Sequence, residues 1–443
     1  RFFALLSFMT FVILSLVSSP NLFMLFVFWQ LLSWALYLIL AFNFTNHPAC
    51  QNAFKTFFVH RVGDVSFLCG IFLTYKYFGT LEFADLFKAA AEQPQMISFF
   101  SGNFEISAVT VISLLIFVGA MAKSAQFPLH VWLPDTMDSP TPVSALMHAG
   151  IINAGGFLLN RLAPFYVLSP NTLHIVFVIG VLTVLMGASM MLAQNDIKKT
   201  LGFSTMGQMG YMIMECGLGA FALAIFHLIA HGLFKATLFL GAGKGIHAAR
   251  EEPKLPESNS HAPTSSLSQL SFFTGLTLTL IMPLIILMVA HGVLNIHLQD
   301  AHGAVILLFF AWVTASQVMF SLFRLHDVAS WKVAGTMIVA LFFIGFIYLW
   351  AVEVFTHFLY PVAAALNLRV FDMLILLSTL LILISWIGVY ANAKGQKIFI
   401  AHWLNSLKKQ LYILLINRFY IDLLYLRCSK YFLQLAQKAS YRF

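Results

Sequence analysis

Apolar runs of membrane-spanning length recur about twelve times along the chain, each of roughly twenty residues, the length an α-helix needs to cross a bilayer. Only 9% of the 443 residues are charged and 60% are hydrophobic, whereas a soluble domain carries about 25% charged residues. In lipid, every backbone N–H and C=O group needs a partner within the protein. The sequence therefore predicts an all-α integral membrane protein.

The remaining charges favour lipid and aqueous loops over a nucleic-acid surface. The net charge is +8, and it is spread over the predicted loops and the C-terminal part, which fits cytoplasmic loops and anionic lipid. No basic patch interleaved with aromatic residues occurs, so no nucleic-acid partner is expected. The four cysteines lack CxxC or metal-ligand spacing, so no metal site is expected in this chain.

The order of apolar and polar segments divides the chain into four parts. A bundle over 1–246 is followed by a polar loop at 247–267, whose Pro, Ser and Glu content is typical of exposed loops. Further transmembrane helices are expected over 268–392. Residues 393–443 mix apolar periodicity with many Lys and Arg, which predicts an amphipathic helix along the interface or the flank of the bundle. No Ala-x-Ala cleavage site follows the first apolar run, so we expect a fragment without its N-terminal helices rather than a signal peptide.

One apolar helix is predicted to be discontinuous, near 105–140. Its apolar run meets Lys123 and then a set of prolines, and apolar character resumes in a helix that carries His148. The break contains Pro128, Pro134, Pro140 and Pro142. Irregular backbone survives at membrane depth only where protein buries it or where it lines a wet cavity, and an ionisable residue there indicates an ion pathway. The alternatives are a helix that ends at Lys123 with a snorkelling amine, and a neutral, packed His148.

Polar residues also occur inside two earlier helices. Arg61 and Asp64 are three positions apart, with His60 beside them, and can form an ion pair on one helix. We expect a buried polar network here, because a long apolar stretch follows Asp64; at the interface the same residues would be topology anchors. Gln30 lies in the middle of the second helix, where a buried amide more often bonds a neighbouring helix than a ligand.

A polar stripe marks the apolar helix over 199–217. It begins at Lys199 and continues with Thr200, Ser204, Thr205 and Gln208. Such a stripe can hold a file of water molecules, although a solvated loop charge is the commoner outcome for Lys199. Glu215, near the end of this helix, is expected at the membrane interface.

Three ionisable residues share one face of the next helix. His227, His231 and Lys235 are spaced at i, i+4 and i+8. A metal site is the weaker interpretation, because the glutamate of the H-E-x-x-H motif is absent and no third ligand lies at a suitable distance. Such groups are costly in a bilayer unless they face a hydrated interior, and histidine titrates near physiological pH. A proton relay is therefore favoured.

Redox and hydrolytic chemistry is not expected of this chain. The sequence contains no nucleotide loop, flavin motif, iron–sulfur ligand set or nucleophilic triad. We therefore expect no catalytic residue and a transport function.

Four segments resemble one family of membrane proteins. They are KTFFVHRVGD, GAMAKSAQFPLHVWLPDTMDSPTPVSALMHA, QNDIKKTLGFSTMGQMGYM and HLIAHGLFKATLFLGAGKGIHA. They are similar to the antiporter-like subunits, the family of the NuoL (subunit 5) protein of respiratory complex I, the Mrp antiporter subunits and the DabB subunit of inorganic-carbon transporters. The resemblance implies an antiporter-like bundle with Lys123 as the central lysine of the discontinuous helix. It assigns Asp64 to the acid of the RVGD segment, His148 to the histidine after the break, and His227, His231 and Lys235 to the connecting polar axis.

Departures from the family pattern favour one branch. Complex I subunits carry a glutamate in their GWE segment, where this chain has Gln30, and a different signature after the IHA motif, where this chain continues AREEPKLPES. The spans after residue 268 contain no second mid-helix lysine. HAGIINAGGFLLNRLAP and STMGQMGYMIMECGLGAFALAIFHLIAHGLFKA resemble the DabB branch, whereas LLINRFYIDLLY resembles complex I subunits. DabB is favoured, and a divergent complex I subunit is the alternative.

The DabB resemblance implies a proton-conducting subunit of a complex that takes up CO2 or bicarbonate, in the inner (plasma) membrane. The expected partner is a large soluble zinc protein that resembles a β-carbonic anhydrase, the DabA-like subunit, and no cofactor is expected in this chain. The complex I alternative implies other membrane subunits as partners and includes the mitochondrial inner membrane. A third hypothesis is a scaffold that conducts nothing.

Overall fold

The computed structural model describes residues 1–99, 104–194, 196–251 and 409–423, with single positions further along the chain. The expected transmembrane helices over 268–392 and most of the loop at 247–267 lie outside the described residues. Residues Arg1–Glu252, Val362–Ala364 and Leu407–Phe443 form one compact unit, and Pro253–Pro361 with Ala365–Ser406 form another.

The first unit is built from helices, as predicted. Before the break they are α1 (Phe2–Val17), α2 (Leu22–Leu40), α3 (His47–Phe78), α4 (Phe83–Glu92) and α5 (Ala108–Lys123). After it they are α6 (Thr141–Ala149), α7 (Ala154–Arg161), α8 (Ala163–Val167), α9 (Pro170–Leu192), α10 (Ile197–Gly217) and α11 (Phe221–Glu251). Among the described residues, five helical segments are long and apolar enough to cross a membrane: Leu22–Leu40, His47–Phe78, Thr141–Arg161, Pro170–Met191 and Phe221–Gly241.

A two-stranded sheet interrupts the helical pattern. Strand β1 (Met96–Phe99) pairs with β2 (Phe104–Ser107) in antiparallel register between α4 and α5. The all-helical prediction did not include these strands. The segments are too short to cross a bilayer and are rich in the aromatic and β-branched residues that favour strands.

The helices meet in a few close pairs. α9 packs along α10, α3 along α5, α1 along α2, and α11 against α6. Gly63 of α3 lies where the two backbones of α3 and α5 approach: a Cβ there would sit 3.2 Å from the Val118 carbonyl oxygen and 3.3 Å from the Gly119 Cα. This contact holds the α5 end that carries Lys123 against α3.

The C-terminal segment joins the same unit through an ion-pair cluster. Lys55 Nζ lies 2.7 Å from Asp135 Oδ2 and also contacts Asp422. Arg418 Nη1 lies 2.6 Å from Asp135 Oδ1 and 3.1 Å from Asp422 Oδ2. Two cations and two anions therefore neutralise one another between α3, the 3-10 helix Leu133–Asp138 and the C-terminal segment. Tyr425 adds a hydrogen bond to the Pro128 carbonyl oxygen (3.2 Å).

The predicted C-terminal amphipathic helix is not continuous. Residues 409–416 are helical, but Arg418, Phe419 and Tyr420 have positive φ angles of 53°, 54° and 56°. Left-handed backbone costs non-glycine residues about 1–2 kcal/mol each. At this interruption the Arg418 side chain forms its ion pair with Asp135.

Candidate functional site

The interruption of the discontinuous helix begins immediately after Lys123. α5 ends at this residue, the chain runs irregularly to the 3-10 helix Leu133–Asp138, and helix resumes with α6 at Thr141. The predicted break is thus present. All four predicted breaking residues, Pro128, Pro134, Pro140 and Pro142, lie within it or in the first turn of α6.

Hydrogen-bonding groups of the irregular backbone find partners in the surrounding protein. The Trp132 indole donates to the Ala122 carbonyl oxygen (2.9 Å), and the Phe127 backbone N–H donates to Thr183 Oγ1 of α9 (3.0 Å). Ser124 Oγ accepts a hydrogen bond from the Gly155 N–H of α7 (3.0 Å). These bonds meet the requirement that irregular backbone inside a bilayer finds partners within the protein.

Lys123 is fully buried at the end of α5, with 0% of its surface exposed. Its Nζ donates to the Trp29 carbonyl oxygen (3.1 Å) and to the Ser33 hydroxyl of α2. The same Nζ lies 5.3 Å from the centroid of the Trp29 ring. The side chain therefore points into the bundle, and the snorkelling alternative does not describe it.

Asp64 supplies the nearby negative charge. Its Oδ1 accepts a hydrogen bond from the Trp29 indole (2.9 Å), and its Oδ2 lies 2.8 Å from Arg61 Nη2. Arg61 also donates to the Gln30 amide oxygen. Asp64 and Lys123 thus bind opposite ends of Trp29, and the expected buried network and the cross-helix role of Gln30 are both present.

His60 lies on the same side of the break. Its side chain is fully buried, and its ring packs edge-on against Trp132 with centroids 4.7 Å apart. It is close enough to Lys123 for the two to interact electrostatically. A buried imidazole therefore contacts the irregular segment near Lys123.

His148 connects the break to α11. The residue is buried on α6, and its ring stacks on Phe239 of α11 with centroids 4.3 Å apart and an interplanar angle of 15°. His231 and Lys235 act on it electrostatically. His148 thus lies beside the predicted relay residues of α11, and its ring packs on Phe239.

Two of the three predicted relay residues of α11, His227 and Lys235, bond to α10. His227 Nε2 lies 3.0 Å from the Gln208 amide oxygen, and Lys235 Nζ donates to Ser204 Oγ (2.9 Å). His231 is buried between them, with its ring centroid 6.2 Å from that of His227. The polar stripe of α10 therefore supplies partners to the charged face of α11.

For Lys199 of α10 the structure shows the solvated alternative, and for Glu215 it differs from the predicted interfacial position. The Lys199 side chain is exposed in the first turn, where the Lys199 backbone N–H donates to the Asp196 carboxylate (2.9 Å). The structure does not bring Lys199 to the other predicted residues. Glu215, expected at the interface, is fully buried and lies 3.1 Å from His227 Nδ1. Sequence reasoning missed this pair because it is a contact between two helices.

The predicted residues thus form two groups. Lys123 and Asp64 lie around Trp29, and His227, His231 and Lys235 lie between α10 and α11, with His148 at the junction. Across the described ranges, no group of three His, Cys, Asp or Glu side chains is placed to hold a metal ion.

Comparison with known proteins identifies the family. The family model for the transmembrane region of NADH:quinone oxidoreductase and Mrp antiporter subunits matches residues 19–312. The chain belongs to this antiporter family. The family membership confirms the antiporter-like membrane fold predicted from the sequence, whereas the number of twelve helices stays a prediction.

Two kinds of antiporter-family relatives are similar in sequence. The probable inorganic carbon transporter subunit DabB1 of Halothiobacillus neapolitanus is 40% identical over 454 aligned positions, which cover 99% of this chain and 80% of that protein. The chloroplastic NAD(P)H-quinone oxidoreductase subunit 5 of Tecoma stans is 40% identical and covers 74% of this chain, and that of Nymphaea alba is 47% identical and covers 56%. The chain spans 44% and 33% of those two proteins.

Two solved structures of membrane complexes share the fold. A chain of the Mrp complex from Dietzia sp. DQ12-45-1b gives a TM-score of 0.53 at 21% identity, with 98% of this chain and 48% of that chain covered. A chain of the archaeal membrane-bound sulfane sulfur reductase gives a TM-score of 0.50 at 20% identity, with 88% and 73% covered.

Proposed function

We propose that this membrane subunit conducts protons for a complex that takes up inorganic carbon, as CO2 or bicarbonate, at the expense of the proton-motive force. The observation that carries the proton role is the fully buried Lys123 at the helix break, bonded to the Trp29 carbonyl and to Ser33. An ionisable residue at a break inside a bilayer is the usual mark of an ion pathway. The inorganic-carbon role rests on the similarity to DabB1 over 99% of the chain.

The proposed path has two stations joined at His148. Protons enter near Asp64 and exchange with Lys123, whose counter-charge is Asp64 because Gln30 carries none. They continue past His148 to the face of His227, His231 and Lys235. The stacking of His148 on Phe239 of α11 supports this order, since it places the α6 imidazole on the relay helix. Water molecules bridge the gaps between side chains.

In this proposal, the complex also contains a soluble subunit that is a separate protein. The partner is a large zinc protein resembling a carbonic anhydrase, the DabA-like subunit, and proton flow through the membrane chain energises its reaction with CO2. The complex lies in the inner (plasma) membrane. No cofactor is assigned to the membrane chain itself.

Replacing Lys123 by Ala tests the pathway. The purified complex is reconstituted into liposomes, and proton flux driven by a potassium diffusion potential is followed with a pH-sensitive dye. Lys123→Ala removes the buried amine at the end of α5 and should reduce flux to the level of empty liposomes, because the proposed path then lacks its proton-exchanging group between Asp64 and His148. Lys76→Ala, at an exposed position of α3, is the matched control and should conduct normally. Equal flux in both variants would exclude the path, and absence of flux in the unmodified complex would favour the scaffold hypothesis.

Complex I subunit 5 is the second candidate function. It is favoured by the 47% identity to the Nymphaea alba protein, higher than the identity to DabB1, although over 56% of the chain. Purification of the tagged chain in mild detergent, followed by mass spectrometry, separates the two. One large soluble zinc protein in the complex supports inorganic-carbon uptake. Many subunits with flavin and iron–sulfur clusters would replace that proposal by quinone-linked proton pumping.

A further inference from the structure

A buried carboxylate faces the relay helix from α10. Both carboxylate oxygens of Glu215 lie within hydrogen-bonding distance of His227 Nδ1, at 3.2 and 3.1 Å. Glu215 is 0% exposed. Charged groups are retained at such positions only when they are paired or function in proton transfer.

The other side of the same imidazole is also occupied. His227 Nε2 lies 3.0 Å from the Gln208 amide oxygen, which can only accept a hydrogen bond. With the Gln208 amide in this orientation, Nε2 carries a proton. With Nε2 protonated, the contact between Nδ1 and Glu215 needs one further proton, which resides either on the carboxyl group or on Nδ1.

The pair thus shares one mobile proton. In one state, a neutral Glu215 carboxyl donates its O–H to Nδ1; in the other, the O–H bond has broken, an N–H bond has formed, and imidazolium faces carboxylate. The pair is electrically neutral in both states, so the transfer creates no net charge in a low-dielectric interior, where an unbalanced charge is costly.

The pair lies at the end of the predicted relay. The His227 ring centroid is 6.2 Å from that of His231, and Lys235 follows one turn further along α11. Among the described residues, the titratable groups near Glu215 include Tyr211 and Cys216 of its own helix and His227 of α11.

We propose that Glu215 is a proton-carrying residue of the relay, forming with His227 and Gln208 a terminal station at the α10–α11 contact. This assignment rests on the proposed proton conduction. It supplies the acidic group that the relay face of α11 lacks, and it gives the chain a second carboxylate station besides Asp64.

The test uses the intact, reconstituted complex. Glu215→Gln keeps the shape of the side chain but cannot carry a proton, so flux should fall by about a hundredfold, the lower end of what a positioned proton-transfer group contributes. Glu215→Asp retains the carboxyl group and should recover part of the flux. Glu92→Gln changes an exposed glutamate of α4 and should conduct normally.

Infrared difference spectra give a readout that a structural role would not change. A pH step should produce a carboxyl carbonyl band in the unmodified complex that is absent in Glu215→Gln and retained in Glu92→Gln. If the unmodified complex conducts and Glu215→Gln matches it in flux and in spectrum, the Glu215 assignment is overturned and proton conduction stands. If the unmodified complex and Lys123→Ala show the same background flux, the proposed function itself fails.

Discussion

At the scale of single residues, Trp29 organises the charges around the break. Its backbone carbonyl accepts a hydrogen bond from Lys123, and its indole donates to Asp64. One residue of α2 therefore positions both the buried amine and its counter-charge. Neither group is bonded to the other directly in these contacts, so the tryptophan sets the spacing of the two groups.

Trp29→Phe tests this spacing. The variant keeps an aromatic ring and the backbone carbonyl but removes the indole N–H, which leaves Asp64 Oδ1 without that donor. We expect a loss of about 1–3 kcal/mol in stability, the usual cost of removing a partner from a buried polar group, and a lower proton flux. Thermal unfolding in detergent and the liposome assay measure the two effects.

Trp34→Phe provides the control on the same helix. Trp34 is 48% exposed and its indole has no role in the charge network described above, so both stability and flux should stay near normal. If the two variants behave alike, Trp29 does not position the charges.

The sequence predicted local charge pairs better than contacts between helices. The Arg61–Asp64 pair and the shared face of His227 and Lys235 follow from helical spacing within one element. Ser33 beside Lys123, and Glu215 beside His227, depend on how α2 meets α5 and how α10 meets α11. Contacts between two helices depend on how the helices pack, and the residue pattern along a single helix does not determine this packing.

At the scale of elements, the contact between α3 and α5 depends on a missing side chain. A Cβ on Gly63 would contact Ala122 and come within 3.3 Å of the Gly119 backbone. Small residues at such positions let membrane helices approach closely. The approach determines how far the end of α5 lies from Asp64.

Gly63→Ala should therefore separate the two helices. Overpacking of this kind costs about 1–3 kcal/mol, and the displaced Lys123 should conduct fewer protons. In Gly241→Ala the added Cβ has no neighbour within 4 Å, so this variant should retain stability and flux. Melting temperatures of the two variants in the same detergent give the comparison; an equal decrease would show that the close approach has no special role.

The ion-pair cluster connects another set of elements. Asp135, in the linker between α5 and α6, lies outside the candidate membrane spans. Burial alone would raise the pKa of its carboxyl group, but Arg418 and Lys55 outweigh this effect and hold that pKa below its usual value. Ionised Asp135 therefore stabilises the folded chain fully above about pH 4, the ordinary pKa of an aspartate. This stabilisation is lost as the pH falls through the lower, folded-state value.

Arg418→Ala should release the C-terminal segment from this linker. A loss of about 1–2 kcal/mol is expected, more than for an exposed ion pair, because the cluster is partly buried and would retain an excess of negative charge. Limited proteolysis of the segment at neutral pH should be faster than in Arg427→Ala, which changes an exposed arginine. The difference should shrink as the pH falls below about 4 and should be lost once Asp135 is protonated at its lower, folded-state pKa. A difference that persists unchanged in acid would exclude the ion pairs as its cause.

At the scale of the whole molecule, ionisable side chains are buried and large apolar side chains are exposed, the reverse of the arrangement in a soluble protein. Lys123, His148 and Glu215 are buried, whereas apolar side chains such as Phe72 and Leu233 are 65% and 70% exposed. Exposed apolar surface of this extent suits lipid as the surrounding medium. The structure thus gives the described helices a lipid-facing exterior and a polar interior.

Cys69 tests the lipid-facing surface. It lies on the exposed face of α3, near Val65 and Phe72. With Cys50, Cys216 and Cys428 replaced by Ser, we expect a water-soluble maleimide to leave Cys69 unlabelled in intact membranes, because the reagent does not enter the hydrocarbon that covers this face. Labelling should become complete after denaturation in detergent. Rapid labelling in the membrane would place this face of α3 against water.

The broad architecture was predictable from hydrophobic periodicity, and its irregular parts were not. Apolar runs located α2, α3 and α9, because lipid imposes a length and a composition on any spanning helix. The β1–β2 sheet and the left-handed residues at Arg418–Tyr420 leave no such signal. The latter conformation accompanies a contact with Asp135, far away in sequence.

The cluster at the break also sets an order of events during synthesis. Arg418 follows Asp135 by 283 residues, and Asp422 follows Lys55 by 367. At the usual rate of translation, roughly 5–20 residues per second, Arg418 is synthesised on the order of 15 to 60 s after Asp135. A nascent chain that ends before residue 418 contains Lys123 and the proposed relay residues. Its linker between α5 and α6 lacks the ion pair with Arg418. Synthesis that ends before residue 418 would therefore give a protein with the proposed relay residues present and the linker without its complete ion-pair cluster.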